Sequence, residues 1–279
     1  MLRKIFKCVL CCSGGLAAVL CLFCFSFING SSKTGVLAEP GYSVYLDDNH
    51  GKKNNKKSFL NGNNASNINF KTGNKGKIKN KRCLGIYNNN EKVLVLANKD
   101  HRLQEDYNPC LRYICNGRLQ ASEYLYDSLV EMLADADKQG YSYWIASAYR
   151  SPLKQQNLID EDVNAFMANG MSYEAALQEV YKETMPAGCS EHQTGLALDI
   201  LCSGNTNMDV SQMEEPGNKW LRDNCYKYGF ILRYPEDKCE ITGINFEPWH
   251  FRYVGRQAAK YITKKHITLE EFYERIGNI

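Results

Sequence analysis

The sequence predicts an α+β fold in which helices surround a small antiparallel sheet. Roughly 197 residues follow Cys83, which is enough for a sizeable single core. In this part of the chain, segments with helical apolar spacing alternate with short apolar runs. The composition of 44% hydrophobic and 23% charged residues excludes collagen, coiled-coil and wholly disordered chains.

The predicted elements follow from local patterns along the chain. Short apolar runs predict strands over 93–97, 143–148, 196–201 and 246–254. Apolar residues at helical spacing predict helices over 119–136, 151–182 (two helices), 213–228, 256–265 and 269–276. Ser151 and Pro152 form the expected start of a helix, a capping residue followed by proline.

The charge distribution divides the chain into two parts. Up to Arg82 the sequence has 14 basic and 3 acidic residues, whereas the remainder has 20 basic and 28 acidic residues. Residues 31–82 are rich in Asn, Lys, Gly and Ser. Such a composition cannot bury enough apolar surface to fold, so it predicts a flexible linker. The linker is either a solvated spacer or a segment attracted to anionic lipids or wall polymers.

The pattern of residues 1–30 predicts a transmembrane anchor. An uncharged run from Cys8 to Ile28 follows Arg3, Lys4 and Lys7, and as a helix it would be about 31 Å long. The basic residues on its amino-terminal side place the rest of the chain outside the cell. The alternative is a cleaved signal sequence and a secreted protein. Nucleic acid is not an expected partner, because an exported chain rarely meets any.

Seven of the 12 cysteines lie in the predicted domain, 83–279: Cys83, Cys110, Cys115, Cys189, Cys202, Cys225 and Cys239. Disulfides are permitted outside the cell, but an odd number leaves at least one thiol over. No CxxC pair occurs among the seven, which argues against a zinc ribbon or a thioredoxin-type site. Cys189 is a candidate nucleophile, although nearby residues make a better case.

Three polar segments interrupt the apolar pattern. The first, Ser147 to Ser151, places Arg150 at a strand end beside a helix amino terminus, with Gln155 one turn later. Backbone N–H groups and a guanidinium at such a position can bind an anion or a developing oxyanion. The alternative is an ordinary surface arginine that forms an ion pair.

The second polar segment, Cys189 to Asp199, predicts metal ligands. In the strand after Gly195, alternation directs Asp199 away from the face of Leu198. A turn at Gly195 can bring His192 back beside that carboxylate, and a neutral imidazole with a carboxylate suits a divalent metal. The alternative is a capped turn with a hydrogen-bonded histidine.

The third polar segment, Phe246 to Tyr253, adds Glu247 and His250 among aromatic residues. Strict alternation would separate these two side chains, but Pro248 marks an irregular strand start and leaves Glu247 in the preceding bend. Two histidines and Asp199 make three ligands with a fourth position open to water, as in catalytic zinc sites. Glu247 can then exchange protons during hydrolysis. The alternative is an aromatic core strand with surface charges.

The strings SAYRSPLKQQ, SEHQTGLALD and EPWHFRYVG resemble the signature blocks of the VanY-type zinc D,D-carboxypeptidases, a family with L,D-carboxypeptidase relatives. The loop NKDHRLQEDYNP resembles the entry to their catalytic domain, and the match covers about 93–261. The resemblance implies a fold shared with the Hedgehog signalling domain. It also implies roles for seven residues: His192, Asp199 and His250 as ligands of one zinc ion, Glu247 as general base and acid, Arg150 as the residue polarising the scissile carbonyl, and Gln155 and Ser190 as lining of the substrate pocket.

The activity implied by this resemblance is removal of the terminal D-alanine from peptidoglycan stem peptides outside the cell. The expected partners are the stem peptide and, through the N-terminal helix, the membrane; no oligomeric state is predicted. Three alternatives stay open: an L,D-carboxypeptidase, a non-catalytic wall-binding module, and a signalling or structural domain stabilised by zinc.

Overall fold

The computed structural model describes residues 80–277. The helices are α1 (Lys81–Asn90), α2 (Tyr126–Asp137), α3 (Pro152–Ala168), α4 (Tyr173–Val180), α5 (Pro216–Asn224), α6 (Cys239–Thr242), α7 (Arg256–Lys265) and α8 (Leu269–Ile276). The strands are β1 (Leu111–Ile114), β2 (Leu119–Ser122), β3 (Tyr143–Ser147), β4 (Ala197–Cys202), β5 (Phe230–Leu232) and β6 (His250–Tyr253). The α+β prediction is confirmed.

The main sheet has the strand order β3-β4-β6-β5, and all its neighbouring strands are antiparallel. In its centre Asp199 of β4 pairs with His250 of β6 on one side and with Ser147 of β3 on the other. The β3–β4 register shifts between Ile145 and Ser147. Such bulges re-aim the chain at strand ends, and this one lies beside the polar segments singled out above. Strands β1 and β2 form a separate hairpin.

Two apolar clusters support the sheet. Leu198 and Ile200 of β4 join Phe251 of β6 and residues of α2 in one cluster, while α1, α7 and α8 form the other with Ile231 and Val254. As alternation predicts, Asp199 is not part of the cluster that holds Leu198 and Ile200. It is nevertheless buried, because every residue of β4 is buried.

The predicted strand over 93–97 is absent from the described structure. The backbone carbonyls of Val93 and Val95 accept hydrogen bonds from the buried guanidinium of Arg252 and take no part in a strand ladder. Before this segment, α1 begins at Lys81, capped by the side chain of Asn80. The first helix therefore starts inside the segment 31–82 that composition assigned to the linker.

Several predicted bounds need correction. Leu119–Ser122 pairs with β1, so the helix predicted from 119 begins only at Tyr126. The helix predicted over 213–228 is α5 followed by a short 3-10 helix, Cys225–Tyr228. Strand β6 occupies only the second half of the predicted 246–254 strand. The two last helices are confirmed, and the capping box of Thr268 and Glu271 fixes the start of α8.

No helix within residues 80–277 is long and apolar enough to cross a membrane. The predicted anchor or signal sequence at 1–30 and nearly all of the predicted linker lie outside the described residues.

All seven cysteines of the described domain are free thiols. Burial raises the pKa of the Cys225 thiol to about 12 and that of Cys202 to about 11. Burial also raises the pKa of Cys189, although Arg102 opposes the effect. A thiol with a raised pKa is a poor nucleophile at neutral pH, which argues against catalysis by Cys189.

Replacing Gly195 by alanine is expected to destabilise the domain by about 1 to 3 kcal/mol. Gly195 has φ +69°, and an added Cβ would lie 2.9 Å from the backbone nitrogen of Ser122. Urea unfolding of the variant measures the cost. Gly204→Ala is the matched control, because Gly204 has open space around it. Equal losses in the two variants would contradict the argument.

Candidate active site

His192 lies in a buried 3-10 helix, Glu191–Thr194, which ends at Gly195. Its Nδ1 lies 2.7 Å from the carbonyl oxygen of Ala148, just beyond β3. A carbonyl only accepts, so Nδ1 carries the proton and donates it. Nε2 is then the unprotonated nitrogen, and it faces Asp199 Oδ2 at 3.3 Å.

Asp199 and His250 face each other across the centre of the sheet. The paired strands β4 and β6 bring His250 Nδ1 within 3.3 Å of Asp199 Oδ1. One donor atom from each of His192, Asp199 and His250 lies within 4.8 Å of the other two. All three residues are buried, so folding brings the three predicted ligands together away from bulk water.

The electrostatics of this cluster keep the carboxylate ionised. Burial would raise the pKa of Asp199, but His192 and His250 outweigh it and hold that pKa well below its usual range. Burial lowers the pKa of His192 against the opposing effect of Asp199, which favours the neutral imidazole. For His250, burial lowers the pKa, but the nearby carboxylates of Asp199 and Glu191 raise it to about 9.

The donor set fits a zinc ion. Two imidazole nitrogens and one carboxylate oxygen are a usual protein ligand set for catalytic zinc. Asp199 Oδ1 is buried and has no hydrogen-bond partner among residues 80–277. A buried carboxylate oxygen without a partner destabilises the folded state unless a cation or a hydrogen-bond donor binds to it. The clustered carboxylates likewise favour a bound positive charge.

Glu247 lies beside this cluster, in the bend before β6, as Pro248 predicts. Its Oε2 is 3.5 Å from His250 Nδ1, and its backbone nitrogen donates to Tyr234 O at 3.1 Å. Pro248 and Trp249 make the turn that leads into His250. A carboxylate next to this candidate metal site is placed to exchange protons with a reacting group.

Arg150 lies near the carboxylate oxygen of Asp199 that His192 also faces. One guanidinium nitrogen is 3.8 Å from Asp199 Oδ2 and donates to Ser147 Oγ at 3.0 Å. The other terminal nitrogen donates to Gln155 Oε1 at 3.0 Å. The arginine is therefore held beside the cluster, and it is less buried than His192, Asp199 and His250.

Gln155 and Ser190 are both buried, with 1% and 4% exposure. Gln155 accepts from Arg150 and donates from its amide nitrogen to Met185 O at 2.7 Å. This places Gln155 behind Arg150 as a support. The predicted substrate contacts of Gln155 and Ser190 stay predictions.

Sequence reasoning missed a buried charge network next to the cluster. Glu191 accepts hydrogen bonds from Arg233 and Arg252, and Arg233 also pairs with Glu270 at the start of α8. Strand alternation could have indicated one member of this network. Arg252 lies two residues after His250 in β6, so both side chains lie on the same face of the strand. Nothing local to Arg233 or Glu270 indicates their pairing.

The α+β fold and the buried cluster of two histidines and a carboxylate define a metal-dependent hydrolase domain. Residues 118–256 match a family model described as VanY, D-alanyl-D-alanine carboxypeptidase. A D-alanyl-D-alanine carboxypeptidase of Enterococcus faecalis (strain ATCC 700802 / V583) is 38% identical over 185 residues, which are 64% of this chain and 65% of the relative.

Solved structures agree with this match. A mutant of the vancomycin resistance D,D-pentapeptidase VanY in complex with Zn(II) is 35% identical with a TM-score of 0.59, covering 65% of this chain and 98% of that one. The LD-carboxypeptidase LdcB is 34% identical with a TM-score of 0.58, covering 67% and 88% of the two chains. The chain belongs to the VanY family of D-alanyl-D-alanine carboxypeptidases. The expectation of a zinc-dependent carboxypeptidase is confirmed.

Proposed function

We propose that this protein removes the C-terminal D-alanine from peptidoglycan stem peptides ending in D-Ala-D-Ala. The observation that carries the proposal is the convergence of His192, Asp199 and His250 within 4.8 Å, with Glu247 beside them. The comparisons support the D,D specificity, because the matching family model and the Enterococcus faecalis relative are both described as D-alanyl-D-alanine carboxypeptidases.

In this proposal His192 Nε2, His250 Nδ1 and the carboxylate of Asp199 hold one zinc ion. Bound zinc supplies a Lewis acid that polarises the scissile carbonyl and makes water a better nucleophile at neutral pH. The chain orients the histidines for that task. Ala148 O fixes His192 so that Nε2 is the nitrogen left to bind.

Glu247 serves as the proton carrier. Its carboxylate accepts a proton from the attacking water and then passes it to the nitrogen of the leaving D-alanine, so that the peptide bond breaks without releasing an unprotonated amine anion. The bend at Pro248 places this carboxylate next to His250. Its low exposure of 6% limits competing proton exchange with bulk water.

Arg150 stabilises the oxygen of the scissile carbonyl as negative charge develops there. Ser147 and Gln155 each accept a hydrogen bond from one of its terminal nitrogens, so the guanidinium is already oriented before substrate binds. A donor held in advance costs little reorganisation during the reaction, which is why such donors have large effects on rate.

The site of action in this proposal is the cell wall close to the membrane. The uncharged run from Cys8 to Ile28 with basic residues before it favours an anchor with the domain outside. A flexible linker of roughly 50 residues would span about 40 Å. Membrane fractionation of cells that express the full chain tests this placement, and recovery only in the medium would support a cleaved signal.

Incubating the purified full-length protein with stem pentapeptide and tetrapeptide, followed by mass spectrometry, tests the activity. We expect the pentapeptide to lose one alanine and the tetrapeptide to stay intact. Conversion of the tetrapeptide to tripeptide would instead support an L,D-carboxypeptidase, which the likeness to LdcB keeps as a second candidate. Binding of either peptide without cleavage would contradict both activities.

A further inference from the structure

Glu191 is buried between two arginines and the metal ligand His250. Its Oε1 accepts hydrogen bonds from Arg233 Nε and Arg252 Nη1, both at 2.8 Å. Its other oxygen, Oε2, lies 3.6 Å from His250 Nε2. The Glu191 side chain is completely buried. One oxygen of this carboxylate thus faces the two arginines, and the other faces the ring of His250.

Two atoms of this arrangement lack a partner. Glu191 Oε2 and His250 Nε2 are buried and, within residues 80–277, neither has a hydrogen-bond partner. Buried polar atoms are rarely left unpaired, and a carboxylate oxygen and an imidazole N–H are complementary. The other ring nitrogen of His250, Nδ1, faces Asp199 and Glu247 on the opposite side of the ring.

We infer that Glu191 is a positioning residue for zinc binding: its carboxylate accepts the Nε2–H of His250 and so leaves Nδ1 unprotonated toward the metal. The inference rests on the proposed function, since it concerns the same metal site. Histidine ligands usually donate their second ring N–H to a carboxylate or carbonyl, which fixes tautomer and ring orientation. Ala148 O already does this for His192, and Glu191 does it for His250.

The two arginines make this carboxylate a fixed acceptor. Arg233 and Arg252 hold Oε1, and their own positions are set by other buried acceptors. Arg233 also donates to Glu270 Oε2 at 3.0 Å, and Arg252 donates to the carbonyl oxygens of Val93 and Val95. Glu191 therefore cannot rotate away from His250 without breaking charge-assisted bonds.

Glu191→Gln separates the two functions of the carboxylate. An amide has one accepting oxygen and one donating NH₂ group. The charged arginines hold the oxygen, which turns the NH₂ group toward His250 and places two donors face to face. That conflict favours the tautomer of His250 with its proton on Nδ1, which cannot bind zinc through that atom.

Glu270→Gln is the matched control. Glu270 is a buried carboxylate of the same network, bonded to Arg233 and Asn98, and it has no contact with the three metal ligands among its hydrogen bonds and ion pairs. Both variants remove one negative charge beside Arg233. Only Glu191→Gln changes the group that faces His250 Nε2.

Zinc affinity of the full-length proteins, measured by competition with a chromophoric chelator, tests the inference. We expect Glu191→Gln to bind zinc about 10- to 100-fold more weakly than wild type. Glu270→Gln should stay within about threefold, while both variants lower the melting temperature of the metal-free protein. Equal zinc affinities in the two variants would overturn the inference. Wild-type protein that binds no zinc would overturn the proposed function instead.

A second measurement applies even if Glu191→Gln fails to fold. Nitrogen-15 NMR of the histidine rings in zinc-loaded wild-type protein reports the tautomer directly. We expect His250 to be protonated at Nε2 and bound to zinc through Nδ1. A His250 protonated at Nδ1 and bound through Nε2 would refute the positioning role of Glu191.

Discussion

Glu247→Gln is expected to bind zinc like the wild type and to release D-alanine about 100- to 10,000-fold more slowly. The amide keeps the size and shape of the carboxylate but cannot accept a proton from water. The three metal ligands are unchanged, so the zinc content should be unchanged. Initial rates of alanine release and metal analysis of the same preparation measure the two quantities.

Glu236→Gln is the control for this experiment, because Glu236 is an exposed glutamate in a short 3-10 helix before α6. It should retain full activity and full zinc content. If Glu247→Gln kept more than a tenth of the wild-type rate, Glu247 would not be the proton carrier.

Arg150→Met is expected to lower kcat about 100- to 1000-fold, the range typical for loss of one donor to a developing oxyanion. The affinity for zinc should change little, because Arg150 is not among the grouped ligands. Arg150→Lys keeps the charge but cannot bond both Ser147 and Gln155 as the guanidinium does, so it should restore only part of the rate.

Steady-state kinetics on a stem pentapeptide separates the effects on kcat and KM in these variants. Arg256→Met is the control, since Arg256 is an exposed arginine at the start of α7 paired with Glu131. A change confined to KM would show that Arg150 binds the substrate and the transition state equally well, which would contradict the proposed role.

The places of Asp199, His192 and Glu247 in the fold were predictable from sequence because local geometry sets them. Alternation in β4 puts Asp199 on the face opposite Leu198, and the positive φ of Gly195 ends the short helix that carries His192. Pro248 likewise indicates that Glu247 lies in a bend. Each of these signals operates within a few residues along the chain, where backbone sterics are decisive.

The supporting network was not predictable in the same way. Glu191 meets Arg233 from 42 residues away in sequence, and Arg233 meets Glu270 from 37 residues away. No local periodicity encodes such pairings. Another long-range contact bears on the wrong strand prediction over 93–97. The apolar sequence there resembles a strand, but Arg252 donates to the carbonyls of Val93 and Val95. Strands β1 and β5, with four and three residues, are too short for alternation to show.

The buried arginines also determine how far the domain can be shortened. Arg252 is bonded to the carbonyls of Val93 and Val95 near one end of the domain, and Arg233 is bonded to Glu270 near the other. A truncated chain that starts after residue 98, or stops before residue 268, would leave a buried guanidinium with only part of its acceptors, since Glu191 alone would remain as a carboxylate partner. We therefore expect a chain cut down to the three signature strings not to fold into an active domain. The segments on either side supply hydrogen-bond acceptors for Arg252 and Arg233.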